Sequence, residues 1–337
     1  MPQQVLQALI CGLFVLVAAN MQVLAEQVES LHNHDIRVAS PWPAQNTIIA
    51  MLGYGHQIVG TSLIAKRIPL FRQSVTGIEK VPVVSVNSAY ELNAEQIISL
   101  GTDLLFIPQG NMSVGQPNVL ARAGVRVIAL EANSMQALVE RVAKTGAILG
   151  PDASEKAQAW RDYFDHNVAR VQERLHDLPD NERIRVYHGM SNPLMSSGRP
   201  SLNQDWMDLG GAVNIAESWF GQKKSGSGEI AIEQVVAANP QVIVLMNPRD
   251  VQNILSSPQW ASVDAVIHRR VYANPQGMFW WCRESSEEAL QFLWLAKTLY
   301  PDRFADIDMR AETRYFYQTF FGITLSDTQV SDILGPS

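Results

Sequence analysis

Residues 92–107, LNAEQIISLGTDLLFI, and residues 230–245, IAIEQVVAANPQVIVL, align without a gap. Glu95 falls on Glu233, Gln96 on Gln234, Ile97-Ile98 on Val235-Val236, and the apolar run 104–107 on 242–245. Each stretch reads as a short amphipathic helix running into a buried strand. A segment written twice at this length predicts two related halves.

Working outward, the first half alternates. IRVAS (36–40) reads as a strand, AQNTIIAMLGY as a helix and IVGTS as a strand; the repeated unit follows, then a helix through Val119–Ala123 and the strand VRVIAL. The second half has RIRVYH, a helix around DWMDLGG, the second copy of the unit, and RVYAN leading to a helix from Ser286. Alternation of this kind predicts an α/β fold with two lobes, each a parallel sheet covered by helices. Between them Ala157, Trp160, Phe164, Val168, Val171 and Leu175 recur at helical spacing. A helix of about 25 residues would span about 38 Å and join the lobes as a strut. The expected organisation is a leader at 1–25, a lobe at 26–150, a connecting helix at 151–180 and a lobe at 181–337.

Composition narrows the classes. The 337 residues, 47% hydrophobic and 18% charged, suffice for two cores, and a net charge of −7 gives no general attraction to nucleic acid. Residues 5–19 are nearly all apolar and carry no charge, and Val23-Leu24-Ala25 suits cleavage before Glu26, so a secretory signal peptide is expected, with an uncleaved membrane anchor as the alternative. Ile10 before Cys11 argues against lipidation. Cleavage leaves Cys282 alone and excludes an internal disulfide.

Ligands of open parallel sheets bind beyond the carboxyl ends of the strands. The segments expected there hold Trp42 and the stretch Gln109–Asn111 in the first lobe, and His188, Met190, Met246, Arg249 and the run Met278, Phe279, Trp280, Trp281, Cys282, Arg283 in the second. Aromatics and methionines beside arginine suit a flat or greasy ligand carrying negative charge. Ser285 with Glu288 has the spacing of a capping box, which would fix that run as a positioned wall.

These residues together resemble the periplasmic substrate-binding proteins of ABC importers for iron-siderophores, haem and cobalamin. The carriers are RVASPWPAQNTIIAMLGYGHQIVGTS, the two repeated units, the connecting helix and SSGRPSLNQDWMDLGGAVNIA; where the family writes KPD or NPD, the chain has Gly101-Thr102-Asp103 and Asn239-Pro240-Gln241. The resemblance implies a periplasmic, monomeric receptor with no cofactor of its own. Its partners would be transmembrane permease subunits, and its cargo a metal chelate: a ferric siderophore first, with haem, cobalamin or a nickel chelate as alternatives. It implies docking to the permease through Glu95 and Glu233, which also suit the first turns of their helices. Arginine contacts to the chelate would come from Arg199 and Arg283, and more weakly from Arg67 and Arg249. His188 could ligate metal or be a hydrogen-bonded core residue.

Rival classes fit less well. A bare zinc or manganese binder needs several histidines and carboxylates at the cleft, and the first-lobe loops expected there hold no histidine. An exported metal-dependent enzyme needs a catalytic motif, yet G-x-S-x-G, S-x-x-K and H-E-x-x-H are all missing. GQKKSGSG imitates a phosphate loop but has Ser227 where lysine belongs, and reads as an exposed loop.

Overall fold

A computed structural model describes residues 36–85, 91–110, 116–221 and 226–335. The expected leader and Asn111 lie outside the described residues. No helix among the described residues is long and apolar enough to cross a membrane.

The first lobe is a four-stranded parallel sheet of β1 (Val38–Ala39), β2 (Ile58–Gly60), β3 (Leu104–Pro108) and β4 (Arg126–Leu130), in the order β2-β1-β3-β4. Every residue of β3 is buried, because helices cover both faces of a parallel sheet. The second lobe repeats the plan with β5 (Arg185–Gly189), β7 (Val213–Asn214), β9 (Val242–Leu245) and β10 (Val271–Ala273), in the order β10-β9-β5-β7 and again parallel. An antiparallel ribbon of β6 (Met195–Ser197) and β8 (Ser227–Glu229) stands beside it, an element the alternation did not foretell. Ser227 thus enters a strand and is not simply loop.

The repeated unit folds alike in both lobes. Its helix is Ala94–Ser99 in one copy and Ile232–Ala238 in the other. Asn93 caps the first by accepting the Gln96 N–H at 3.1 Å, whereas in the second the Gln234 side chain accepts the Ala231 N–H at 3.1 Å. Both chains then leave through a left-handed residue at the same aligned position, Gly101 (φ +60°) and Asn239 (φ +46°), the two residue types that adopt this turn most readily.

The connecting helix is Pro151–Leu175, 25 residues long. Its buried face includes Ala157, Trp160, Phe164, Asn167 and Val171. Gly146 lets it cross the preceding helix, Met135–Leu149, closely: a Cβ there would lie 2.8 Å from that of Ala157. On its other side the Trp160 Nε1–H donates to the Ser286 carbonyl (2.8 Å) and Asn167 Nδ2 to the Ala289 carbonyl (3.0 Å). One continuous apolar cluster consequently runs from Val38 in the first lobe through Trp160 to Val186 and Trp281 in the second. Lobes sharing a core and a single helix can rock only slightly.

Trp160→Phe keeps the ring packing and strands the Ser286 carbonyl. Chemical denaturation followed by circular dichroism should show a loss of about 1–3 kcal/mol with unchanged helix content.

Candidate ligand-binding cleft

The carboxyl ends of β3, β4 and β5 open onto a cleft of about 900 Å³ between the lobes. The first lobe lines it with Pro108, Gln109, Glu131 and Asn133, and the second with Met190, Ser197, Ser201, Asn203 and Ser227. A third wall is Cys282–Glu284. No aromatic ring is among these lining residues.

The second-lobe wall is set by a chain of polar side chains. Ser201 caps the helix Leu202–Leu209, accepting the Gln204 N–H at 3.1 Å. Asn203 donates to Ser197 Oγ (2.9 Å) and accepts from the Trp206 indole N–H (3.0 Å), so its amide orientation is determined. Asn214 ties the same turn down by donating to the Ser197 carbonyl (2.9 Å) and Gln204 Oε1 (2.8 Å).

The third wall is held from behind. The Glu287 carboxylate accepts the backbone N–H groups of Met278 (2.6 Å) and Phe279 (2.9 Å) and the Tyr317 hydroxyl. Gly277 is required there, because a Cβ would meet Tyr317 Oη at 1.7 Å. This clamp turns the apolar run inward. Met278, Trp281 and Cys282 are fully buried, Phe279 nearly so and Trp280 half-buried. Trp281 points to Tyr317 Oη at 3.4 Å. Of this run only Cys282 and Arg283 line the cleft; large apolar side chains gain more in the core than at a wetted wall. The expected capping box is absent too. The following helix, Glu288–Leu299, has Glu287 at its N-cap and no side-chain cap, and the Ser285 hydroxyl donates to the Trp280 carbonyl (3.3 Å).

Arg283 is half-buried, and its Nε lies out of solvent with no hydrogen-bond partner among the described residues. No carboxylate forms an ion pair with its guanidinium there. Gln109 and Met190 also line the cleft. The other expected contacts lie elsewhere. Trp42 is buried beneath the cleft, its ring stacked under Arg141 with the guanidinium 4.1 Å from the centroid. Arg199 is committed to Asp208 (2.9 Å) and Glu217 (2.7 Å) on an outer surface. Arg67 and Arg249 are exposed on helices away from the lining, and Met246 packs against the core. His188 is fully buried, edge-on to Trp206 at 5.1 Å, and burial together with Arg283 pushes its pKa down to about 3. It is a neutral residue one layer behind the lining. Among the described residues no three His, Cys, Asp or Glu side chains are grouped to hold a metal ion.

Sequence reasoning passed over Glu131, Asn133, Ser197, Ser201, Asn203 and Glu284. The one available signal was Ser201 with Gln204, a capping pattern that marks a helix start beside the SSGRPS turn.

Two lobes with parallel sheets, a single connecting helix and a ligand-sized polar cleft at the strand ends define a solute-binding receptor. The chain belongs to the periplasmic binding protein family, whose sequence pattern matches residues 38–277. It is a binding protein of the ABC-importer class and not an enzyme. It is 33% identical over 159 residues to the molybdate-binding protein MolA of Haemophilus influenzae, covering 46% of this chain and 44% of that one. The alignment therefore spans under half of that relative's length. The uncharacterized ABC transporter substrate-binding lipoprotein YvrC of Bacillus subtilis is 23% identical over 297 residues, 85% of this chain and 88% of its own. A vitamin B12-binding protein of Salmonella paratyphi A is 25% identical over 167 residues, 50% of this chain and 60% of its own. The solved structure of MolA bound to molybdate superposes with a TM-score of 0.75 at 22% identity, covering 86% of this chain and 94% of that one.

Burial raises the Glu287 pKa from 4.5 to about 7. A carboxyl raised on folding favours the folded state fully below pH 4.5 and loses that contribution as pH rises through 7. Urea titrations should show the stability advantage of the wild type over Glu287→Gln shrinking across this window, by on the order of 3 kcal/mol.

Proposed function

We propose that the chain is an extracytoplasmic receptor delivering an anionic, oxygen-rich metal chelate to an ABC importer, with a ferric siderophore as the leading cargo. The observation that carries this reading is the half-buried Arg283 guanidinium on the cleft wall, which forms no ion pair with a carboxylate among the described residues and whose Nε has no hydrogen-bond partner there. A guanidinium can hold catecholate or carboxylate oxygens in pairs, and the serine and amide groups opposite supply further donors. A space of about 900 Å³ suits a chelate and exceeds what a tetrahedral oxyanion fills. Molybdate is the second reading, favoured by the 33% identity to MolA. Haem and cobalamin are less well served, since the tryptophans that would have stacked on them are buried or half-buried beneath the wall.

Calorimetric titration of purified protein against ferric siderophores, molybdate, haemin, cobalamin and nickel chelates tests the reading. The expected result is tight binding of an anionic ferric chelate, weakened at least tenfold in Arg283→Gln. Unaltered affinity in that variant would remove Arg283 from the site and the anion argument with it.

The same proposal assigns docking to Glu95 and Glu233. Both are exposed and lie in the first turns of the matched helices. Glu95→Arg and Glu233→Arg should leave cargo affinity and melting temperature near wild type and lower uptake by whole cells, most in the double variant. Full uptake by the double variant would reduce the two glutamates to helix-dipole partners.

A further inference from the structure

Among the described residues that line the cleft, Glu284 alone is held in the left-handed region, at φ +56°. Glutamate gains no local hydrogen bond there, unlike asparagine, so the conformation persists only where the surroundings over-determine it. They do so from the other lobe. The buried Arg141 guanidinium donates to the Glu284 carbonyl, and the Trp42 indole N–H donates to Glu284 Oε2 at 3.3 Å. Relaxing φ would break the first contact, and moving the carboxylate would break the second. The other oxygen, Oε1, accepts no hydrogen bond from the described residues. The result is a carboxylate fixed on the cleft wall, next in sequence to the unpaired Arg283.

We propose that Glu284 determines which anions the cleft accepts: the cargo must present a hydroxyl or N–H donor beside the anionic oxygen that Arg283 holds. The inference rests on the anion reading above and names the ligand class more narrowly. Arg283 alone would attract any oxyanion. A fully deprotonated species placed against it also meets the Glu284 charge and is repelled, whereas a neighbouring donor turns the same carboxylate into a charge-assisted acceptor. Siderophores with hydroxyl or amide N–H groups meet this requirement, as does a protonated oxyanion. Molybdate, which carries no proton at neutral pH, does not. Because Glu284 is gripped by Trp42 and Arg141, a donor bound to Oε1 also loads the contact between the lobes directly.

The test compares phosphate, which bears O–H donors at pH 7, with molybdate as a matched donor-free probe. Both are titrated by calorimetry into the wild type, Glu284→Gln and Arg283→Gln at one salt concentration. Glutamine can still accept from Trp42, and melting curves check that the fold survives. The wild type should prefer phosphate, Glu284→Gln should bind molybdate at least tenfold more tightly than wild type and phosphate more weakly, and Arg283→Gln should lose both alike. Should Glu284→Gln fold poorly, Glu284→Asp, which keeps the charge and withdraws it, must still move the ratio toward molybdate. A wild-type preference for molybdate, or a ratio indifferent to both Glu284 variants, overturns the proposal while leaving Arg283 as the anion anchor. A wild type that binds neither probe overturns this inference; if Arg283→Gln binds both probes as wild type does, or the wild type binds no chelate either, the anion reading itself fails with it.

Discussion

A buried arginine sits where the lobes meet, and much of the molecule is arranged around it. Arg141 is 1% exposed, and burial draws its pKa down to about 10. An unpartnered cation in that position would cost several kcal/mol, so it persists only by the company it keeps. That company is the Trp42 ring face, the Glu284 carbonyl and Gln45 Oε1 at 3.5 Å. The Glu284 carboxylate adds favourable charge. Because Arg141 belongs to the first lobe and Glu284 to the second, the interaction that makes the charge tolerable is also the one that joins the halves.

The loop from Gly277 to Glu288 inherits its shape from this junction and from a second one behind it. Glu287 clamps the loop backbone and meets Tyr317 of the helix Met309–Phe321, while the connecting helix takes the Ser286 carbonyl through Trp160. Glu288 beside it is driven well above the ordinary carboxylate range by burial and by Glu284, and its carboxyl oxygens have no hydrogen-bond partner among the described residues, so the satisfied contacts of the loop are those of Glu287 and Ser286. Buried polar groups of this kind are expensive unless satisfied, and they tolerate few alternative arrangements. The cleft wall is therefore held on its hidden side and presents Cys282, Arg283 and Glu284 on the open one. Rigidity of this sort lowers the ordering cost of binding.

Symmetry and asymmetry divide the labour. The repeated unit gives each lobe a matched helix, a matched left-handed exit and a matched exposed glutamate, features suited to meeting two similar partners. The cleft ignores the repeat. Its lining comes mainly from the second lobe, from the Met190–Asn203 stretch, Ser227 and the Cys282–Glu284 turn, with only a few strand-end residues from the first.

The amino-acid sequence alone determined the architecture. Period-two and helical periodicity, the gapless repeat and one long apolar stripe suffice for two parallel α/β lobes on a single helix, because backbone hydrogen bonding and burial are governed by pattern and not by partner. Of the expected contacts, Arg283, Gln109 and Met190 line the cleft: Gln109 and Met190 by their place directly after strand ends, and Arg283 because a charged side chain is costly to bury whole. Everything that depended on which way a side chain turns escaped. Met278 to Trp281 read as a binding wall because their spacing follows a strand, yet Glu287, several residues on, pulls their backbone so that the side chains face the core. Arg199 read as a ligand contact until Asp208 and Glu217 claimed it. Trp42 read the same way until Arg141, about a hundred residues distant, was found stacked on it. Glu284 gave no sign at all, since its left-handed backbone and its two anchors are contacts across the lobes, and contacts between residues remote in sequence exist only once the chain has folded.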